Sequence, residues 1–348
     1  SLYNGYQGRQ FSLADAKKQP RTKGPVLKVM PIGGLGEMGI GKNMMAIEYE
    51  DEILVIDAGF LFPGADYPGI NYITPDITYL EENKHKIRAQ VFTHGHLDHI
   101  GAYRHFAHRI PAPVYGSKFT LGMIQRTMEE ATSGFTPDYH EMDPESHERV
   151  QVGDNFSIEL VRVNHSIPDA LAVCITTPAG RVLHTGDFKM DQLPLDGRIT
   201  DLNAFARLGD EGVDAFLVDS TNAEVSGFFT SEQNISPVLD EVFSRAPGRI
   251  VVACFASHIH RVQQVINAAV AHGRRVAFVG RSMVRTMNVA RDLGYLKVPG
   301  GLTVSLDQLD ELPDDEVVLI CTGSQGEPMA VLARIANRDH KIRIHDQD

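Results

Sequence analysis

The sequence predicts an α/β protein built in two parts, and three observations carry the prediction. Before about residue 226, short apolar runs separated by polar turns read as strands joined by hairpins and tight loops. From about Gly227 onward, strand-like runs alternate with stretches of helical periodicity, which means a parallel sheet with helical crossovers. A length of 348 residues with 43% hydrophobic content suits two domains, each with its own core.

Composition narrows the class. A formal net charge of −12 argues against indiscriminate adhesion to nucleic acid or anionic membrane, although it averages over the chain. The three cysteines, Cys174, Cys254 and Cys321, are odd in number, far apart and set in apolar runs, as reduced core residues of a cytosolic protein are. No charged start leads into an apolar signal region, and no apolar run reaches the ~18 residues that a membrane-spanning helix needs. The expectation is a soluble, cytoplasmic protein with no membrane partner.

In chain order, residues 1–25 are polar, with Arg9, Lys17, Lys18, Arg21 and Lys23 against Asp15 alone. They read as a flexible basic arm. Next, Gly34-Leu35-Gly36-Glu37-Met38-Gly39 satisfies the dinucleotide-binding G-x-G-x-x-G, with Asp57 at a suitable distance. A helix should follow those glycines. Instead Met44 to Tyr49, the polar Glu50-Asp51-Glu52 and Ile53 to Ile56 read as two strands and a turn, so the cofactor reading is set aside.

Ala89-Gln90-Val91-Phe92 reads as a buried strand that delivers Thr93-His94-Gly95-His96-Leu97-Asp98-His99. Three imidazoles and a carboxylate in so short a loop suit a borderline-soft divalent ion such as zinc. On an extended segment, residues two apart point the same way, so His94 and His96 can share one ion. Asp98 and His99 begin a new element and turn toward a second position. His105 and His108, on the next helix, read as solvated or packed side chains.

Pro113 to Gly116 reads as a strand, Lys118 to Ala131 as a helix with a core-facing stripe, and Ser157 to Val163 as a strand. That strand delivers Asn164-His165. Arg181-Val182-Leu183 leads into His184-Thr185-Gly186-Asp187, and Phe216-Leu217-Val218 into Asp219-Ser220-Thr221-Asn222. For Asp219 a helix cap competes with a catalytic role.

In the second part, Ile250 to Ala253, Val276 to Val279 and Val317 to Ile320 read as strands, and His260 to Ala271 and Met283 to Leu293 as helices. From Arg245 to Lys297 there are nine basic residues against Asp292 alone. Clustered at strand ends, they would bind a phosphate backbone. The loops Phe255-Ala256-Ser257-His258-Ile259-His260-Arg261, Gly280-Arg281-Ser282 and Thr322-Gly323-Ser324-Gln325-Gly326 carry small and hydroxyl residues ahead of helices, which offer free N–H groups to anions.

The histidine cluster resembles the signature of metallo-β-lactamase-fold hydrolases, and its surroundings resemble the ribonuclease J family of β-CASP nucleases. The matching stretches are Pro31-Ile32-Gly33-Gly34-Leu35-Gly36-Glu37, Val55-Ile56-Asp57-Ala58-Gly59, Pro75-Asp76-Ile77-Thr78-Tyr79-Leu80, Val218-Asp219-Ser220-Thr221-Asn222 and Thr322-Gly323-Ser324-Gln325-Gly326-Glu327-Pro328. The resemblance implies a metallo-β-lactamase αββα sandwich over 26–226 and an inserted β-CASP domain, a parallel sheet flanked by helices, over 227–348. It implies two zinc ions, with manganese as an alternative, held by His94, His96, Asp98, His99, His165 and a bridging Asp187. Asp57 would steady the histidine loop, and Asp219 would support a general-acid histidine from later in the chain. Phe62 would stack on a base or simply pack. Ser257, His260, Arg261, Arg281, Ser282, Gly323, Ser324 and Gln325 would contact RNA.

The implied substrate is single-stranded RNA, preferably 5′-monophosphorylated, cleaved internally and from the 5′ end by a homo-oligomer, dimer or tetramer. The family's later segments, resembling His-Val-Ser-Gly-His and Val-His-Gly-Glu, do not occur in this sequence. The expectation is therefore a C-terminally truncated chain with both domains incomplete, an underpopulated second metal and weak activity. Two rivals stand beside this reading. A thioester or lactone hydrolase of the same superfamily is disfavoured by the inserted sheet after Asp219, and a catalytically weak RNA-binding subunit by the intact set of six ligands.

Overall fold

The computed structural model describes residues 24–34, 41–63, 67, 69–227, 230–324, 326, 330–344 and 348. The basic arm, most of the glycine-rich stretch and Gln325 therefore lie outside the described residues. The first sheet is ordered β1 to β6: Leu27–Gly33, Met44–Tyr49, Glu52–Ile56, Ile87–Val91, Val114–Gly116 and Tyr139–Glu141. Its first three strands are antiparallel and its last four parallel. The hairpin that displaced the dinucleotide reading is β2–β3, turned at Glu50 with a left-handed φ of 52°.

The second sheet runs β11-β10-β9-β8-β7, from Arg149–Val152 (β7), Phe156–Arg162 (β8), Leu171–Thr177 (β9), Gly180–His184 (β10) and Ala215–Leu217 (β11). All its pairings are antiparallel except β10 with β11. Side chains alternate across each strand, and this makes the layers. On β3, Leu54 and Ile56 face Phe156, Ile158, Leu160 and Val173 of the second sheet. Ile53 and Val55 face the opposite way, among residues of the helices Thr78–Glu82 (α1), Leu97–Ile100 (α2), Tyr103–Phe106 (α3) and Lys118–Met128 (α4). The outer face of the second sheet, with Ala172, Cys174 and Leu183, packs Ala204 and Leu208 of α5 (Leu202–Glu211). Four layers result, helix, sheet, sheet, helix, each large apolar side chain contributing about 1.5–3 kcal/mol by burial. Glu52, 4% exposed, ties the sheets at one end by accepting N–H from Asp154 and Asn155 at 2.9 and 2.8 Å.

The third sheet is parallel and ordered β12-β14-β13, from Ile250–Ala253 (β12), Arg275–Val279 (β13) and Val317–Cys321 (β14). Val318 and Ile320 of β14 (Val317–Cys321) face the helices α6 (Ile235–Arg245), α7 (Ile259–Ala271) and α8 (Arg281–Asp292); Val317 and Leu319 face α9 (Val331–Ala336). The helix expected over 118–131 ends at Met128, because its last turn tightens to i→i+3 bonds from Glu130 and Ala131. The strand expected over 157–163 runs 156–162, and α7 and α8 begin one and two residues earlier than expected. No helix among the described residues is long and apolar enough to cross a membrane.

Candidate metal centre

Every element that feeds the centre ends at one edge of the sandwich. β3 and β4 are parallel neighbours, so Asp57 and the histidine loop leave the first sheet side by side. β8 and β10 leave the second sheet toward them, delivering His165 and Asp187. The edges are stitched where the Leu171 N–H donates to the Thr93 carbonyl at 2.9 Å. Gly59 is required at the crossing, since a Cβ there would stand 1.4 Å from the Asp98 carbonyl oxygen.

The structure brings His94, His96 and His165 into one set and His94, His99 and Asp187 into another, the donor atoms of each set within 4.8 Å of one another. His94 Nε2 lies 3.0 Å from His96 Nδ1, and His165 Nε2 3.1 Å from the same atom. Tetrahedral zinc with Zn–N of about 2.0–2.1 Å needs nitrogen separations of about 3.3 Å, so rings parting by a few tenths of an ångström would fit an ion. His99 Nε2 and Asp187 Oδ2 already stand 3.4 Å apart. Asp98 lies at the rim of this second set, its Oδ2 3.6 Å from His99 Nε2.

Electrostatics separates the two sets. Burial pushes His96 down to about 3 and His165 to about 4, and drives His94 well below its usual value. These imidazoles are neutral at physiological pH, the form that binds metal. Burial would also push His99 down, but Asp57, 2.7 Å from Nδ1, and Asp187 outweigh it and hold the imidazole well above its usual value. Burial raises Asp187, yet His99 and the other imidazoles bring it to about 2.

The expected supporting role of Asp57 has a clear geometry. Its carboxylate accepts from the Thr93 N–H and hydroxyl, both at 2.8 Å, and pairs with His99 Nδ1. It does so from a left-handed φ of 58°, a conformation that its three partners must pay for. Asn43 joins from β2's approach, its Nδ2 3.3 Å from Asp98 Oδ2 and 3.1 Å from His99 Nε2. His184 Nδ1 accepts the Gly186 N–H at 3.0 Å, shaping the turn that aims Asp187. Spacing gave no signal for Asn43 or His184.

Asp219 caps no helix. Oδ1 accepts the N–H and hydroxyl of Thr221 at 2.9 and 2.7 Å, and Oδ2 accepts the Phe188 N–H at 3.3 Å, beside Asp187. Phe62 is 63% exposed and meets Phe60 edge-on at 4.8 Å, which leaves a face open to solvent. In the third sheet, Ala253 and Val279 both register with Cys321, so the loops bearing Ser257, Arg281, Ser282, Gly323 and Ser324 share one edge. Arg281, Ser282 and Ser324 are exposed. His260 and Arg261 are instead engaged internally, with Asp196 at 3.3 Å and Glu232 at 2.8 Å. The basic run is likewise partly structural: Arg249 pairs with Asp348, Arg274 donates to the Ala246 and Gly248 carbonyls, and Arg285 pairs with Glu130.

The αββα sandwich with imidazole and carboxylate donors at the edge where its two sheets meet defines a metallo-β-lactamase-fold protein with a site for divalent metal. The family model described as metallo-beta-lactamase superfamily matches residues 39–207, and that described as ribonuclease J, beta-CASP domain, matches 247–348. The chain is 49% identical over 316 residues to ribonuclease J of Mycolicibacterium smegmatis, spanning 90% of this chain and 55% of that protein. It is 45% identical over 331 residues to ribonuclease J of Thermus thermophilus, spanning 92% and 56%. A crystal structure of a protein of unknown function from Enterococcus faecalis shares the fold, with a TM-score of 0.58 at 15% identity over 84% of this chain and 76% of that one. The chain belongs to the ribonuclease J family, and it spans about half the length of the curated relatives that it matches.

Proposed function

We propose that this chain carries the metal centre and an RNA-facing surface of a ribonuclease that hydrolyses phosphodiester bonds in RNA decay and maturation, acting at the 5′ end and internally. The observation that carries the reading is the pair of donor sets sharing His94, one of three neutral imidazoles and one with a carboxylate. Residues 26–226 supply the metal site and 227–348 the surface toward single-stranded RNA, with a 5′-monophosphate preferred. The working unit in this reading is a homo-oligomer.

His94, His96 and His165 would hold one zinc ion; His99 and Asp187, with Asp98 at the rim, would hold a second. Nitrogen-rich ligands favour zinc over manganese in the first position. Bound ions supply Lewis acidity toward a phosphoryl oxygen and lower the pKa of coordinated water toward 7. The protein's own part is positioning. Asp57 fixes the tautomer and tilt of His99, and Asp219, whose Oδ2 accepts the N–H of Phe188 next to Asp187, would orient an imidazole that protonates the leaving oxygen. Phe62 offers a ring face for base stacking, and the exposed Arg281 offers a guanidinium to phosphate.

The test is metal content and cleavage of a 5′-monophosphorylated single-stranded RNA, by this chain and by a version extended to the length of its relatives, with a thioester as control. Bound zinc with RNA cleavage supports the reading; thioester hydrolysis with intact RNA refutes it. Binding of RNA should weaken linearly in log–log terms with salt, and Arg281→Gln should lower that slope by about 1 at every sequence tested.

The pH dependence of zinc uptake should differ between the sets. Histidines at about 3 and 4 do not compete with zinc above pH ~5, so the first ion should bind with little pH dependence from there to 7.5. The raised His99 must shed its proton first, so the second ion should bind more tightly as pH rises and should release a proton. Calorimetry in buffers of different ionisation enthalpy measures that proton.

A further inference from the structure

Glu232 belongs to none of the sequence motifs. It starts a short 3₁₀ turn, Glu232–Asn234, ahead of α6. Its carboxylate, 13% exposed, gathers a cation from each half of the chain, Lys189 Nζ at 3.0 Å and Arg261 Nη2 at 2.8 Å, with the imidazole Nε2 of His258, which burial keeps neutral, 3.8 Å away. The main chain around it is pinned to the same two places. The Glu232 N–H donates to Asp191 Oδ2 at 3.0 Å, the Ser231 hydroxyl to the Leu193 carbonyl at 2.9 Å, and Gln264 Nε2 to the Glu232 carbonyl at 2.8 Å.

Lys189 makes the position consequential. It follows Asp187 by two residues, and its own N–H donates to the Asn164 carbonyl at 2.8 Å, next to His165. One residue thus bridges the segments that carry a donor from each set. At the other end, His258 and Arg261 open α7, whose preceding loop lies on the strand-end edge of the third sheet. Apolar packing would join two such units at lower desolvation cost than a largely buried carboxylate with two cations. What the ionic junction adds is register, because three charges fit in one arrangement.

We infer that Glu232 is a positioning residue: through Lys189 and Arg261 it sets the Asp187 and His165 segments in register with the first turn of α7, so that metal donors and the strand-end loops of the third sheet hold one geometry. The inference rests on the two-set metal reading given above. Its consequence is that removing the charge loosens two segments distant in sequence and weakens zinc, without unfolding the chain.

The experiment compares this chain with E232Q, K189Q and the double variant, by hydrogen exchange of the metal-free proteins and by zinc titration. E232Q should raise exchange together in residues 187–193 and 258–264 and weaken zinc by about tenfold, the lower end of the loss seen when an outer partner of a ligand is removed. In the K189Q background the same change should weaken zinc by much less, since neighbours acting through one contact are not additive. E232D, which keeps the charge on a shorter arm, should restore part of the affinity and tests the inference should E232Q fail to fold. Faster exchange confined to residues 231–235, unchanged zinc affinity, or full additivity with K189Q would each overturn it. If the parent chain takes up no zinc, the metal reading fails by itself, and joint or separate loosening of the two segments still decides the register claim.

Discussion

The His96→Ala chain is expected to take up no zinc at the three-histidine set under conditions that saturate the parent. His96 Nδ1 is the atom that both His94 Nε2 and His165 Nε2 approach, at 3.0 and 3.1 Å, so its removal opens the centre of the set. Loss of a direct ligand should exceed the roughly 10- to 100-fold cost of losing an outer partner. Stability separates this from misfolding. In the metal-free state three closely packed imidazoles, of which His94 is buried and His96 and His165 partly so, crowd one another, and removing one leaves no unpaired charge, so the metal-free melting temperature should change little. Zinc at a hundred times its dissociation constant should stabilise the parent by about 2.7 kcal/mol, and the variant hardly at all. Calorimetric scans with and without zinc, alongside the RNA cleavage assay, check this. A variant that keeps the zinc-induced rise would mean that the set is a packed histidine cluster.

The parts of this centre that were legible in the sequence are those whose geometry is local. Residues two apart on an extended segment face one way whatever surrounds them, so the pairing of His94 with His96 needed no tertiary knowledge. The hairpin of β2 and β3 was equally readable from alternation. Asn43 was not, because its contacts with Asp98 and His99 span 55 and 56 residues and arise only when β2 approaches the histidine loop. Glu232 was hidden for the same reason, its partners lying 43 and 29 residues away. The basic run misled in the opposite sense. Net charge along a segment ignores where each guanidinium points, and Arg249, Arg274 and Arg285 point into carbonyls and carboxylates of their own fold.

Asp57→Asn should produce the largest combined loss of stability and metal affinity of any single change outside the donor atoms. The carboxylate is 3% exposed and accepts three contacts: the Thr93 N–H, the Thr93 hydroxyl, and His99 Nδ1. An asparagine has one accepting oxygen. Aimed at the Thr93 N–H, it turns its amide donors toward His99 and the Thr93 hydroxyl; aimed the other way, it sets N–H against N–H. Either way a buried His99 that is charged in the parent loses its carboxylate, and breaking a buried pair on one side costs about 3–5 kcal/mol. The left-handed φ of 58° adds to the loss, since the bonds that offset that strain are gone. Zinc should weaken about 10- to 100-fold at the set containing His99 and less at the three-histidine set, where Asp57 acts only through Thr93 and its hydroxyl contact, 3.0 Å, to His94. Chemical denaturation of the metal-free chain and a two-site zinc titration measure both effects. Equal loss at the two sets would show that Asp57 holds the loop as a whole, and undiminished stability would show that Thr93 and His99 find other partners.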